Sequence, residues 1–279
     1  MEELLQEFDN YIGEELGKSH NTRLSYCRDL KMLFAWLQSQ GISKVEDVTK
    51  AELQAYTDHL ASLHKSNATI SRSVASARQF FSFAKMKAYI YTDPSADLKA
   101  PKVIRKAPKI AQDTDIEKLL SAPDTTTLKG IRDRAMLSLM LSTGMRVSEL
   151  LNLRVADVDL KKRTVKISGI GSRNRTVTYR KDISSCMQDY FLMARGQMLA
   201  QDDDDSFFVS CQGEKMTRQG FWKLLKTYGK ACGIKEITPY TLRHSFAVYA
   251  LKNGEDIHSV QNTLGHSAVY STTEYSSLL

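Results

Sequence analysis

Residues 237–275 read ITPYTLRHSFAVYALKNGEDIHSVQNTLGHSAVYSTTEY, three helical segments in succession. Thr238 followed by Pro239 is a helix start, because threonine caps free amides and proline suits the first helical position. The helix so opened, about residues 239–253, carries Arg243 on its early turns between Leu242 and Phe246 of an apolar face. An arginine set among core residues needs a partner, either a structural carboxylate or a bound phosphate. A second helix over about 256–264 stops at Gly265, the residue best suited to a left-handed helix end. His266 then stands just past that end, titrating near neutrality and able to donate to an oxyanion. Ser271 and Glu274 have capping-box spacing, which places Tyr275 on the first turn of a short last helix.

Further upstream, TGMRVSELL at 143–151 is a turn opening a helix, with Arg146 near its first turn. Helix starts and arginines both favour phosphate oxygens. TVKI at 164–167 and TVTY at 176–179 are β-rich runs separated by Gly169, Gly171 and Asn174, a hairpin with a long loop. Helical patterns cover about 114–121, 128–141, 183–200 and 218–232, and SFFV at 206–209 reads as a strand behind a solvated turn of aspartates at 202–205. The C-terminal part is therefore mainly α with a small antiparallel β-sheet.

The first 95 residues read as four helices. Leu4, Leu5, Phe8, Ile12 and Leu16 have helical spacing, and a second run follows Ser19 and ends at Gly41. Thr49 and Glu52 form a capping box before a third helix, and a fourth spans about 67–87. Short loops join these helices into a bundle. Pro94 and Pro101 bracket a stretch rich in Ala, Lys and Pro. The expected organisation is an N-terminal helical domain over 1–95, a basic linker over 96–110 and a C-terminal domain over 111–279.

Composition narrows the function classes. The chain has 279 residues with 42% hydrophobic and 25% charged, which argues against disorder. No run approaches the length needed to cross a bilayer. The acidic, amphipathic N-terminus lacks the positive charge and apolar core of a signal peptide. Cys27, Cys186, Cys211 and Cys232 lie far apart without metal-type spacing, so free thiols, a reducing cytoplasmic setting and no bound metal are expected. Net charge is +7, but residues 1–95 hold 11 basic against 12 acidic side chains while 96–110 hold 5 against 1. A neutral first third followed by a basic strap and a basic remainder suggests a surface for the nucleic-acid backbone.

Two arginines at separate helix starts, a histidine past a helix end and a tyrosine nine residues later form one pattern. In order, NTRLSYCRDLKMLFAWLQSQGI, LSTGMRVSELLNL, MTRQGFWKLL, ITPYTLRHSF, SVQNTLGHS and STTEY resemble the tyrosine recombinase (integrase) family, most closely its Xer-like branch. The resemblance implies an N-terminal four-helix core-binding domain and an α-rich catalytic domain that clamp duplex DNA. It implies chemistry without cofactor, metal or ATP: a tyrosine attacks a DNA phosphate, forms a 3′-phosphotyrosyl link and frees a 5′-hydroxyl, and exchange passes through a Holliday junction on a tetramer of protomers. It assigns Tyr275 as nucleophile, Arg146 and Arg243 as the two phosphate-binding arginines, His266 as a donor to a nonbridging oxygen, and Glu149 as a supporting residue. The implied partners are double-stranded DNA, further copies of the chain, and a second recombinase subunit or helper protein. The implied tasks are chromosome-dimer resolution or mobile-element integration and excision.

Two positions depart from the family pattern. A lysine usually sits in the hairpin turn as general acid for the leaving oxygen, yet this chain has Gly169-Ile170-Gly171. Lys166, Arg173 and Arg175 are the candidates to replace it, with Lys166 alone having the pKa of an ordinary acid. The residue three before Arg243 is usually histidine and is Tyr240 here, a poor base at neutral pH. These departures keep open a second reading, a catalytically weak or silent DNA-binding relative that acts as an architectural or partner subunit.

Overall fold

The computed structural model describes residues 1–104, 107–168, 174–201, 204–266 and 270–276, without the side chains of 270 and 271. Gly169, Ile170, Gly171 and Arg173 of the hairpin turn, Asp202, Asp203, and residues 277–279 lie outside the described residues. The chain divides into two compact units, Met1–Arg105 and Lys106–Leu279.

The first unit is built on α1 (Glu2–Glu14), α2 (His20–Ser39), α3 (Lys50–Ser62) and α4 (Asn67–Met86). Their starts follow from local chemistry. Ser19 accepts a hydrogen bond from the Thr22 amide and Ser66 from the Thr69 amide, while Thr49 and Glu52 close the expected capping box. The apolar stripes meet in an aromatic core, where Phe80 packs edge-on to Phe8 at 5.5 Å and to Phe34 at 5.0 Å. Asp29, buried on α2, receives both arms of Arg72 from α4 at 2.7 and 2.8 Å. Residues 98–102 lie against this unit: Leu98 is buried in its core, and the carbonyls of Pro101 and Lys102 accept from Ser71 at 2.8 Å and Asn67 at 3.1 Å.

The second unit opens with α5 (Asp113–Ser121) and α6 (Leu128–Thr143), followed by the short α7 (Val147–Leu151). Ala135, Met136, Leu137, Leu139 and Met140 are fully buried, so α6 is the central helix of this unit. Strands β1 (Val158–Asp159), β2 (Thr164–Ile167) and β3 (Arg175–Thr178) form an antiparallel sheet in the order β1-β2-β3, with Val165 opposite both Val158 and Val177. The expected hairpin is β2–β3; β1 is too short to show in the sequence pattern.

The helical run over 183–200 is segmented into α8 (Ser184–Asp189), a π-helical stretch over Tyr190–Arg195 and α9 (Gly196–Met198). Residues 206–209 are not a strand. They make only single bridges, Arg154 with Ser206 and Val209 with Lys215, and Phe207, Phe208 and Val209 are all buried in the core. Then follow α10 (Arg218–Ala231), α11 (Pro239–Lys252), α12 (Ile257–Leu264) and α13 (Tyr270–Ser276). The amide of Ala111 donates to Ser245 on α11 at 2.8 Å, which ties the start of this unit to the helix that carries Arg243. Among the described residues no helix is long and apolar enough to cross a membrane, and no cluster of His, Cys, Asp and Glu has metal-binding geometry.

Buried charge on α6 is fully paired. Asp133 receives Arg132 at 2.6 Å, Lys129 at 2.9 Å and the Tyr228 hydroxyl at 2.9 Å, and Arg132 also donates to the Val209 carbonyl at 3.0 Å. Asp133→Ala would leave the Arg132 guanidinium buried without its carboxylate, a change expected to cost about 3–5 kcal/mol. Urea unfolding should show this as a lowered midpoint with an unchanged slope.

Candidate active site

The site is assembled from three helix ends. α6 stops at Gly144, whose φ of 60° is left-handed, and a Cβ there would strike Phe246 and Leu264. This turn buries Met145 and delivers Arg146 to the start of α7. α12 stops in the same way at Gly265, φ 66°. Three successive carbonyls at that end each accept from a different arginine: Thr263 from Arg175 at 2.8 Å, Leu264 from Arg243 at 2.8 Å and Gly265 from Arg146 at 3.1 Å. A cation at a helix C-terminus is electrostatically favoured, so the end of α12 gathers the arginines.

Glu149 holds two of them. Its oxygens accept from Arg175 at 2.9 and 2.8 Å and from Arg146 at 2.8 Å, and the Arg146 amide donates to it at 2.7 Å. Burial pushes the Glu149 carboxyl up, but the Arg175 fork and its other donors outweigh this and hold it below the usual carboxylate range.

Arg243 differs from the other two. It is 5% exposed, and its guanidinium donates to the carbonyls of Gly144 at 2.6 Å and Leu264 at 2.8 Å. Among the described residues no carboxylate pairs with it. Burial, followed by the charge of Arg146, brings its pKa down to about 10. Among the described residues the structural salt bridge that the sequence allowed is therefore absent, and a buried positive charge stands beside two further arginines with one glutamate between them. An anion is the missing complement.

His266 and Tyr275 complete the cluster. The His266 ring lies 6.3 Å from the Tyr275 ring in a stacked arrangement, and its Nδ1 is 3.0 Å from the Thr272 hydroxyl. Burial and the charges of Arg243 and Arg146 bring the His266 pKa down to about 4. Tyr275 is 3% exposed, and burial raises its phenol above the ordinary value although Arg243 opposes this. The capping box expected at Ser271 and Glu274 falls on a side chain outside the described residues, but the helix start differs from the expected one. α13 already begins at Tyr270, so Ser271 lies inside the helix and Tyr275 on its second turn.

The structure thus brings Arg146, Glu149, Arg243, His266 and Tyr275 together. Among the described residues neither Tyr240 nor Lys166 makes a hydrogen bond or ion pair with them. Tyr240 is 54% exposed on α11 and lines a cavity of about 970 Å³ with Trp222, Lys226 and Lys230. Lys166 is exposed on the face of β2 opposite Val165 and Ile167. Arg175, a candidate for the missing acid, is committed to Glu149 and Thr263. The residue that sequence reading passed over is His244, whose Nδ1 lies 2.7 Å from the Tyr275 hydroxyl. Its position next to Arg243, and four residues from Tyr240 on one helix face, was the available signal.

Residues 110–279 match the phage integrase family, and residues 5–88 match the phage integrase N-terminal SAM-like domain. The tyrosine recombinase XerD of Staphylococcus epidermidis is 36% identical over 276 residues, 99% of this chain and 94% of that protein. XerC of Herpetosiphon aurantiacus is 35% identical over 276 residues, 99% of this chain and 90% of that protein. Among solved structures, XerH bound to palindromic difH in a post-cleavage complex superposes with a TM-score of 0.77 at 22% identity, covering 92% of this chain and 76% of that one. A lambda integrase dimer on a COC′ core site gives 0.77 at 16% identity, covering 99% and 94%. These two likenesses concern the fold. With the catalytic-domain family matched over residues 110–279 and Xer recombinases matched along nearly the whole length, the chain belongs to the tyrosine recombinase (phage integrase) family, in its Xer-like branch.

Proposed function

We propose that this protein is a cytoplasmic site-specific DNA recombinase that breaks and rejoins strands through a tyrosyl phosphodiester, for chromosome-dimer resolution or mobile-element integration and excision. The observation that carries this is the buried Arg243, without a carboxylate partner among the described residues, flanked by Arg146 and set beside Tyr275. Such a site attracts one phosphate and holds a phenol against it. Arg146 and Arg243 neutralise the charge that grows on the nonbridging oxygens, and the other ring nitrogen of His266 donates to one of them. The Tyr275 oxygen forms a bond to phosphorus as the bond to the 5′-oxygen breaks. The 5′-hydroxyl of another strand reverses the step on a junction held by four protomers. Bond energy is conserved in the tyrosyl ester, so the exchange needs no nucleotide. A second recombinase subunit or helper protein fits the same scheme, because such exchange works strand pair by strand pair.

The test is a nicked duplex bearing a Xer-type site, from which the short 5′-hydroxyl strand escapes after cleavage. A protein–DNA band on a denaturing gel, with the modified peptide mapped to Tyr275, supports the reading. A protein that shifts this duplex on a native gel but gives no covalent band contradicts it and favours a silent DNA-binding subunit.

Phosphate binding should also protonate His266. The cations that bring its pKa down to about 4 are offset when an anion lies between them, so the bound state takes up protons between about pH 4 and 6.5. Calorimetry of duplex binding at pH 5.5 in two buffers of different ionisation enthalpy should show net uptake in wild type and less in His266→Gln.

A further inference from the structure

We propose that His244 is the catalytic residue that holds the Tyr275 hydroxyl and takes its proton as the tyrosine attacks. This rests on the function just proposed. The two side chains meet at 2.7 Å, from α11 and α13 respectively, with Tyr275 buried and His244 part-buried. Among the described residues no other side chain of the cluster is placed to do this. The Nδ1 of His266 is engaged with Thr272, and its ring is stacked on Tyr275 instead of end-on to the hydroxyl. Tyr240 is exposed, and a phenol cannot accept a proton from another phenol near neutral pH. Tyr240 and His244 are four residues apart and share a face of α11, so the proton acceptor stands one helical turn further along.

Rigidity supports the assignment. Arg243 is pinned by two backbone carbonyls, and Ser245 donates to Thr241 at 2.9 Å while accepting from Ala111. His244 lies between these two anchored residues. One turn of α11 therefore presents a phosphate-binding cation and a base at successive positions. Burial and the charge of Arg243 lower the His244 pKa, so at neutral pH the ring is uncharged and its Nδ1 accepts the phenolic proton.

In the forward step the bond from the Tyr275 oxygen to phosphorus forms and the bond from phosphorus to the 5′-oxygen breaks. The phenolic proton moves to Nδ1, leaving an imidazolium. The departing 5′-oxygen takes a proton from another donor or from solvent. In religation the imidazolium returns its proton to the leaving phenolate.

The experiment compares wild type, His244→Asn, His244→Ala and Tyr275→Phe on the nicked duplex. The asparagine oxygen can accept the hydrogen bond near the Nδ1 position but cannot take the proton. Both His244 variants are expected to bind the duplex normally and to form the covalent product at least about 10²-fold more slowly. The wild-type rate should level off above the His244 pKa, whereas the variants' rates should keep climbing with pH. Arg243 on its own helix and Glu274 on α13 set this profile with burial, Tyr275 and His266 stand beside them, and Lys109, Lys226, Lys230, Lys235 and Glu236 are the charged groups around the cavity that His244 also lines. A duplex with sulfur at the bridging 5′-position, which leaves without a proton, should accelerate wild type and variants by the same factor.

Full activity in His244→Asn would overturn the proton transfer and leave positioning alone. Rescue of His244→Ala by the sulfur substrate would move the residue to the leaving group and overturn the proposal. Unimpaired His244→Ala alongside an active, Tyr275-dependent wild type would overturn this proposal only. A wild type without Tyr275-dependent product would overturn the function as well.

Discussion

Tyr275→Phe is expected to bind a Xer-type duplex as wild type does and to yield no covalent product, a rate loss of at least about 10⁴, as for other covalent nucleophiles. The separation of binding from chemistry follows from the packing. Phenylalanine keeps the buried ring against His266, and only the hydroxyl and its 2.7 Å contact with His244 are lost. One hydrogen bond contributes about 1 kcal/mol, too little to unfold the unit. A native-gel shift at wild-type protein concentration is therefore the internal control. A covalent band that survives in Tyr275→Phe and vanishes in Tyr270→Phe would place the nucleophile at Tyr270 instead.

Arg243→Lys is expected to slow covalent product formation by about 10²–10³, while affinity for the duplex changes much less. The guanidinium has two jobs in one plane. It donates to Gly144 and Leu264, joining the ends of α6 and α12, and it presents its charge to the phosphate. A lysine ammonium is a single point on a flexible stem and cannot span both carbonyls while facing the anion. Thermal unfolding should fall as well, because one buried carbonyl loses its donor. Single-turnover cleavage measured with saturating protein separates the chemical loss from any weakening of binding. A variant that cleaves at the wild-type rate would remove Arg243 from the reaction.

Much of the architecture was legible in local chemistry. The caps at Ser19, Thr49, Ser66 and Thr238 are formed as their residue types require. The left-handed stop at Gly265 occurs because a residue without Cβ meets that conformation at least cost. Local reading failed where distant backbone partners decide the outcome, as when the Phe207 amide donates to the Leu153 carbonyl at 2.8 Å. Residues 206–209 look like a strand because they are apolar and aromatic, yet they are single-bridged segments of core. The last helix starts at Tyr270, earlier than the spacing of Ser271 and Glu274 suggests, and Thr272 on it meets His266.

The sequence by itself determined which residue types are available and which helix ends carry them: Arg146 after α6, Arg243 early in α11, His266 after α12 and Tyr275 on α13. Those facts depend on caps, glycine stops and apolar spacing, which act over a few residues. Only the tertiary structure decided who touches whom. Arg146 reaches Gly265 across 119 residues, Arg243 reaches Gly144 across 99, and His244 meets Tyr275 across 31. A hydrogen bond is short and directional, so its partner is chosen by how helices pack and by the rotamers that packing leaves, and neither is written in residue spacing. That is why the family resemblance could name the arginines, the histidine past α12 and the tyrosine in advance, whereas the contact of His244 with Tyr275 and the lack of a carboxylate partner for Arg243 among the described residues were not legible.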